Sequence, residues 1–127
     1  MAGPELPRQT GLPDARQRSV TFTLGGVGIE LVEYLAAGGE GATSPRPPDA
    51  PGTRTLAFRV KDADEAFAAL RARGVAFVAD APDTLGDEAG KMKGTRLAYL
   101  HDPEGNLLEI MRAPGVLDRV ANATARQ

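Results

Sequence analysis

The sequence predicts an α+β chain in which a β-hairpin precedes a β-α-β-β-β module. Three observations carry that reading. Residues 55–60 alternate in polarity, and an apolar stripe of helical period follows at once over 62–73. Residues 95–112 read as strand, turn, strand, with Asp102-Pro103 and Gly105-Asn106 supplying the turn chemistry. Residues 20–35 hold another strand pair around Gly25-Gly26.

Residues 1–17 carry three prolines, two glycines and several charges, and read as a loose N-terminal arm. Residues 18–36 form the hairpin: Val20 to Leu24 alternates, Gly25 to Gly28 turns the chain, and Ile29 to Leu35 returns. Residues 37–52 are rich in Gly, Pro, Ala and Ser and read as a linker. The module occupies 53–112. In its first strand Leu56, Phe58 and Val60 share one face, and Thr55, Ala57 and Arg59 share the other.

Asp62 is a good N-cap, with Glu65 three residues on in capping-box spacing. Ala63, Ala66, Phe67 and Leu70 make one helical stripe, Arg71 and Arg73 suit the negative end of the helix dipole, and Gly74 stops the helix. Val75 to Ala79 reads as a short strand, 81–94 as a loop, and 95–100 with 107–112 as the closing hairpin. Residues 113–127 are a tail, with a short helix expected over 116–123.

Composition excludes several functions. At 127 residues the chain makes one domain or two small modules. The net charge of −2, with both signs interspersed, argues against nucleic acid or an anionic membrane as partner. The absence of cysteine removes disulfides and thiolate chemistry and suits a cytoplasmic protein. No apolar run approaches the roughly 20 residues of a membrane span, and residues 1–13 lack the apolar core of a signal peptide. His101 is the only histidine, so one chain cannot build a two-histidine metal site. Gly25 to Gly28 is not a phosphate loop, because no helix follows it.

Glu109, between Leu108 and Ile110, is costly to bury without a partner. It is either a partly solvated strand carboxylate or a group that works in a cavity. Glu30, between Ile29 and Leu31, repeats the pattern: each glutamate follows a glycine-containing turn near the start of an apolar strand. Glu33 is the alternative to Glu30 under a shifted register.

With Leu56-Ala57-Phe58-Arg59-Val60, the helix from Asp62 to Arg73 running into Gly74-Val75, and Leu100-His101-Asp102-Pro103-Glu104-Gly105-Asn106-Leu107-Leu108-Glu109-Ile110, the chain resembles the vicinal oxygen chelate superfamily. That superfamily includes glyoxalase I, methylmalonyl-CoA epimerase, extradiol dioxygenases and bleomycin-resistance proteins. Gly25 through Leu35 resembles the end of the family's first module. The resemblance implies βαβββ modules whose curved mixed sheets enclose a cavity, with one divalent ion held there in the metalloenzymes. It places Glu109 and Glu30 at two of the four ligand positions. Thr55 falls where a histidine is usual, and the fourth position lies on a strand the first module lacks.

Two inward carboxylates would repel and raise one pKa, the arrangement of a general acid/base pair. The sequence therefore points to a lyase or an isomerase/epimerase moving a proton on a small oxygenated metabolite. Glu109 and Glu30 would act as catalytic groups or ligands of one divalent metal ion. Thr55, Arg59, Arg96 and Met111 are the candidate substrate contacts. The alternative is a non-catalytic binder of a drug or natural product, as in the bleomycin-resistance branch. Extradiol chemistry needs two histidines and a carboxylate, and is set aside. His101 reads as a turn-edge side chain rather than a base, and Lys91 and Lys93 as solvated loop residues.

The first module shows only its closing hairpin, which leaves an open edge. Three outcomes fit. A homodimer completes each cavity with modules of two protomers, which is the expectation kept here; the N-terminal arm covers the edge; or the sequence starts inside a longer product.

Overall fold

The structure is a computed structural model that describes residues 5–13, 15–35 and 47–114. The chain divides into two compact units, residues 1–40 and 41–127. The helix expected over 116–123 lies outside the described residues.

In the first unit, α1 spans Glu5–Thr10, inside the segment read as a loose arm. Strands β1 (Gln17–Leu24) and β2 (Val27–Tyr34) form an antiparallel hairpin, each strand starting earlier than the sequence suggests. Gly25 and Gly26 make its two-residue turn at φ +55° and +82°, values that need glycine and match the twist of the strands. The register separates two faces. Val20 opposes Leu31, Phe22 opposes Ile29 and Leu24 opposes Val27 on the apolar face, which ends in an Arg18–Glu33 ion pair. Ser19, Thr21, Thr23 and Glu30 lie on the other face.

The second unit is the expected β-α-β-β-β module with two additions, a short strand and a 3-10 segment. Its elements are β3 (Thr55–Arg59), α2 (Ala63–Ala72), β4 (Ala76–Phe77), β5 (Asp83–Thr84), a 3-10 segment (Asp87–Met92), β6 (Arg96–His101) and β7 (Leu107–Arg112). The sheet runs β3-β7-β6-β4, and β5 also pairs with β6. The β3–β7 pairing is parallel and the others are antiparallel. The strand expected over 75–79 shrinks to Ala76–Phe77, and the loop over 81–94 contains β5 and the 3-10 segment, broken at Gly90.

Asp62 caps α2 as its spacing predicts: its Oδ1 accepts from the Glu65 backbone N–H at 2.9 Å. Phe67 reaches the sheet and joins Ala98, Leu100 and Ile110 in the buried core. Phe58, Leu70, Phe77 and Leu108 pack around them, and the Phe67 and Phe77 rings lie 4.2 Å apart, tilted by 48°. Burying such side chains gives roughly 1.5–3 kcal/mol each, so this apolar layer is what holds the helix to the sheet.

Asp102 closes the final hairpin. Its Oδ1 accepts from the backbone N–H of Glu104 (2.9 Å) and of Asn106 (2.8 Å), and its Oδ2 accepts from Asn106 Nδ2. Gly105 takes φ +82° at the bend, where a side chain would strain the backbone. This turn sets the β6–β7 register, and the register decides which way Glu109 points.

Candidate functional site

Side chains alternate along a strand, so α2 and the ladder registers assign each residue a face. Ala98, Leu100, Leu108 and Ile110 lie toward α2. Glu109 therefore lies on the opposite face, as its neighbours predicted. Three rows cross that face from β3 through β7 to β6. The middle row is Ala57, Glu109, Tyr99. Thr55, Leu107, His101 lie on one side of it and Arg59, Met111, Leu97 on the other.

Glu109 sits at the centre of this grid on the central strand, half-buried. Burial holds its carboxyl above the ordinary carboxylate range. Leu107 and Met111 flank it along β7 and are both buried. Ala57, the smallest side chain of the grid, is its partner on one side, while Tyr99 stands on the other and is 39% exposed. The Tyr99 phenol is held above its usual range, first by burial and then by the Glu109 charge. Glu109 thus stands between Ala57 and the Tyr99 phenol across the strands.

Of the expected substrate contacts, Thr55, Arg59 and Met111 share this face with Glu109. Arg96 does not, which corrects the expectation for that residue. Its strand phase turns it toward α2, where Nε and Nη2 each donate to an Asp64 carboxylate oxygen at 2.6 Å and Nη1 donates to Thr84 Oγ1 at 3.0 Å. His101, read as a turn-edge residue, ends β6 on the Glu109 face, one row away and half-buried. Lys93 pairs with Asp87 in the 3-10 segment.

Tyr99 is the residue the sequence reading missed. The signal was present: Ala98 and Leu100 are core residues, so Tyr99 between them takes the other face.

Glu30 lies on the polar face of the first unit's hairpin, opposite Thr21. Glu33, the alternative under a shifted register, lies on the apolar side and accepts from Arg18 Nε at 2.6 Å.

A metal site needs several convergent donors. Among the described residues no group of three or more His, Asp or Glu side chains could hold an ion. Around Glu109 the sheet offers Ala57, Leu107 and Met111 as neighbours, with no second carboxylate in its row. The donor set of the second unit does not fit a divalent ion by itself. A separate surface depression of about 200 Å³, beside the end of α2 and lined by Arg71, Val75, Phe77 and Asp80 among others, contains none of the predicted residues.

The sequence model of the glyoxalase/bleomycin resistance protein/dioxygenase superfamily matches residues 3–110. The chain belongs to that superfamily. Among solved structures, this superfamily member is similar to the glyoxalase family protein from Bacillus cereus, with 24% identity over 91% of this chain and 74% of that one and a TM-score of 0.73. It is also similar to the glyoxalase family protein from Enterococcus faecalis, with 23% identity over 76% of this chain and 68% of that one and a TM-score of 0.54. At such identities the likeness extends to the glyoxalase-like fold alone. No curated protein matches the chain. No helix among the described residues is long and apolar enough to cross a membrane.

Proposed function

We propose that the protein is an isomerase, epimerase or lyase that moves a proton at a carbon next to a carbonyl, with Glu109 as the acid/base group. The observation that carries this reading is the half-buried Glu109 carboxyl on β7, paired with β3 on one side and β6 on the other. A carboxyl whose pKa burial raises above its ordinary value takes and returns a proton better than one held at that value. Thr55, Arg59 and Met111 are proposed to line the ligand. Glu30, on the polar side of its hairpin, is proposed as a further functional carboxylate, a reading that the superfamily match supports. The cysteine-free composition supports a cytoplasmic setting.

The test is hydrogen–deuterium exchange at the α-carbon of small enolisable ketones in D2O, followed by proton NMR. Catalysed exchange that Glu109→Gln abolishes is the expected result. Exchange that survives that substitution removes Glu109 from the chemistry.

A non-catalytic binding protein is the second reading. The exposed Tyr99 ring beside Leu97 supports it, because such a surface stacks planar ligands. Tight binding of a planar compound without any exchange would favour it.

A further inference from the structure

We propose that Tyr99 is a second catalytic residue of the Glu109 site, its phenol hydroxyl donating a hydrogen bond to the carbonyl oxygen of an enolisable ketone or aldehyde while Glu109 takes the α-proton. The proposal rests on the reading of Glu109 as the proton-transfer group and adds what stabilises the oxygen.

Tyr99 and Glu109 are direct cross-strand partners on one face, so their Cβ atoms stand about 4.5–5.5 Å apart. The phenol is longer than the carboxylate side chain, so its hydroxyl can reach past the carboxyl toward a ligand resting on Glu109. On the other side of the row Ala57 carries no donor. Tyr99 is therefore the donor in Glu109's own row, and His101 lies one row further along the strand.

Three further observations support the role. Among the described residues the Tyr99 hydroxyl has no hydrogen-bond acceptor, so the donor is uncommitted. The side chain is 39% exposed, so a ligand has access to it. Its backbone is held on both edges, by β7 and by the Val78 N–H, which donates to the Tyr99 carbonyl at 2.9 Å. Burial and the Glu109 charge both keep the phenol protonated, as a donor must be.

The step balances with these groups alone. The α C–H bond breaks and its proton forms an O–H bond on Glu109. The C–H electron pair becomes the C=C bond of the enolate, and the carbonyl π pair moves onto oxygen. Tyr99 keeps its own proton and shares it with that oxygen. The proton then returns from Glu109 to carbon.

The experiment follows α-proton exchange of hydroxyacetone and 2-oxobutyrate in D2O. It compares wild type, Glu109→Gln and Tyr99→Phe, all of which keep Tyr34. Tyr99→Phe, made in the chain that keeps Tyr34, retains the ring and removes the hydroxyl. It is expected to lower kcat for exchange roughly 100-fold, with KM within about threefold and an unchanged circular dichroism spectrum. A packing role alone would move the melting curve instead of kcat. If Glu109→Gln abolishes exchange while Tyr99→Phe leaves it intact, the Tyr99 role is overturned and the Glu109 reading stands. If exchange is insensitive to Glu109→Gln, or neither probe exchanges faster than in buffer, the Glu109 reading fails and the Tyr99 role falls with it.

Discussion

Arg96 and Asp64 meet through two parallel hydrogen bonds, Nε to Oδ2 and Nη2 to Oδ1, both 2.6 Å long. This fork ties the start of β6 to the first turn of α2, on the side of the sheet away from Glu109. Both charges are open to solvent, so the pair adds little stability and is screened by salt. Arg96→Met is expected to lower the melting midpoint by roughly a few degrees at low salt and less at high salt, with ligand affinity and exchange rate unchanged. A tenfold loss of either in a folded variant would return Arg96 to the list of ligand contacts.

Asp64 and Glu109 have opposite pH signatures. The hydrogen bond from Arg96 lowers the Asp64 pKa below 3.8. That contribution is present above 3.8 and is lost as the pH falls through the folded-state value. Burial raises the Glu109 pKa above 4.5, so between 4.5 and its folded value the native state holds more protons than the unfolded chain. Stability from this group therefore falls as the pH rises through that window and is flat above it. Glu109→Gln should remove this slope and gain stability relative to wild type above the window, as read from urea midpoints across pH. Parallel curves for the two proteins would count against a buried Glu109.

The apolar face of the hairpin calls for a cover. Val20, Phe22, Leu24, Val27 and Leu31 are each about half exposed or more, and a two-stranded sheet is marginal in isolation. A second copy of the chain is the proposed cover. Light scattering should give twice the 13.3 kDa chain mass, and Phe22→Glu should shift the mass toward one chain. A wild-type monomer at high concentration would exclude the homodimer.

The metal question is settled by loading. After incubation with zinc, nickel, cobalt, manganese or iron and then dialysis, metal well below one equivalent per chain is expected from the donor set around Glu109. One equivalent retained by wild type and lost in both Glu30→Gln and Glu109→Gln would restore the two-carboxylate site.

Local signals were legible in the chain. Asp62 with Glu65 marked the start of α2, and Asp102 through Asn106 marked the turn that orients Glu109, because each acts through neighbours a few residues away. Arg96 shares the phase of the core residues Ala98 and Leu100, which turns it toward α2 rather than toward Glu109. The short β5 and α1 escaped notice because a two-residue strand has no period and a six-residue helix has weak intrinsic propensity. The face of Tyr99 was legible from Ala98 and Leu100, but its place beside Glu109 follows only from pairing across the strands.

Ala57 acquires its place beside Glu109 from a segment made about fifty residues later. During synthesis β3 and α2 emerge with no β7 to pair with, and Leu56 and Phe58 must wait uncovered. The last strand described, Leu107–Arg112, therefore brings Glu109 and completes the sheet together, so the proposed site and the fold of this unit depend on one strand.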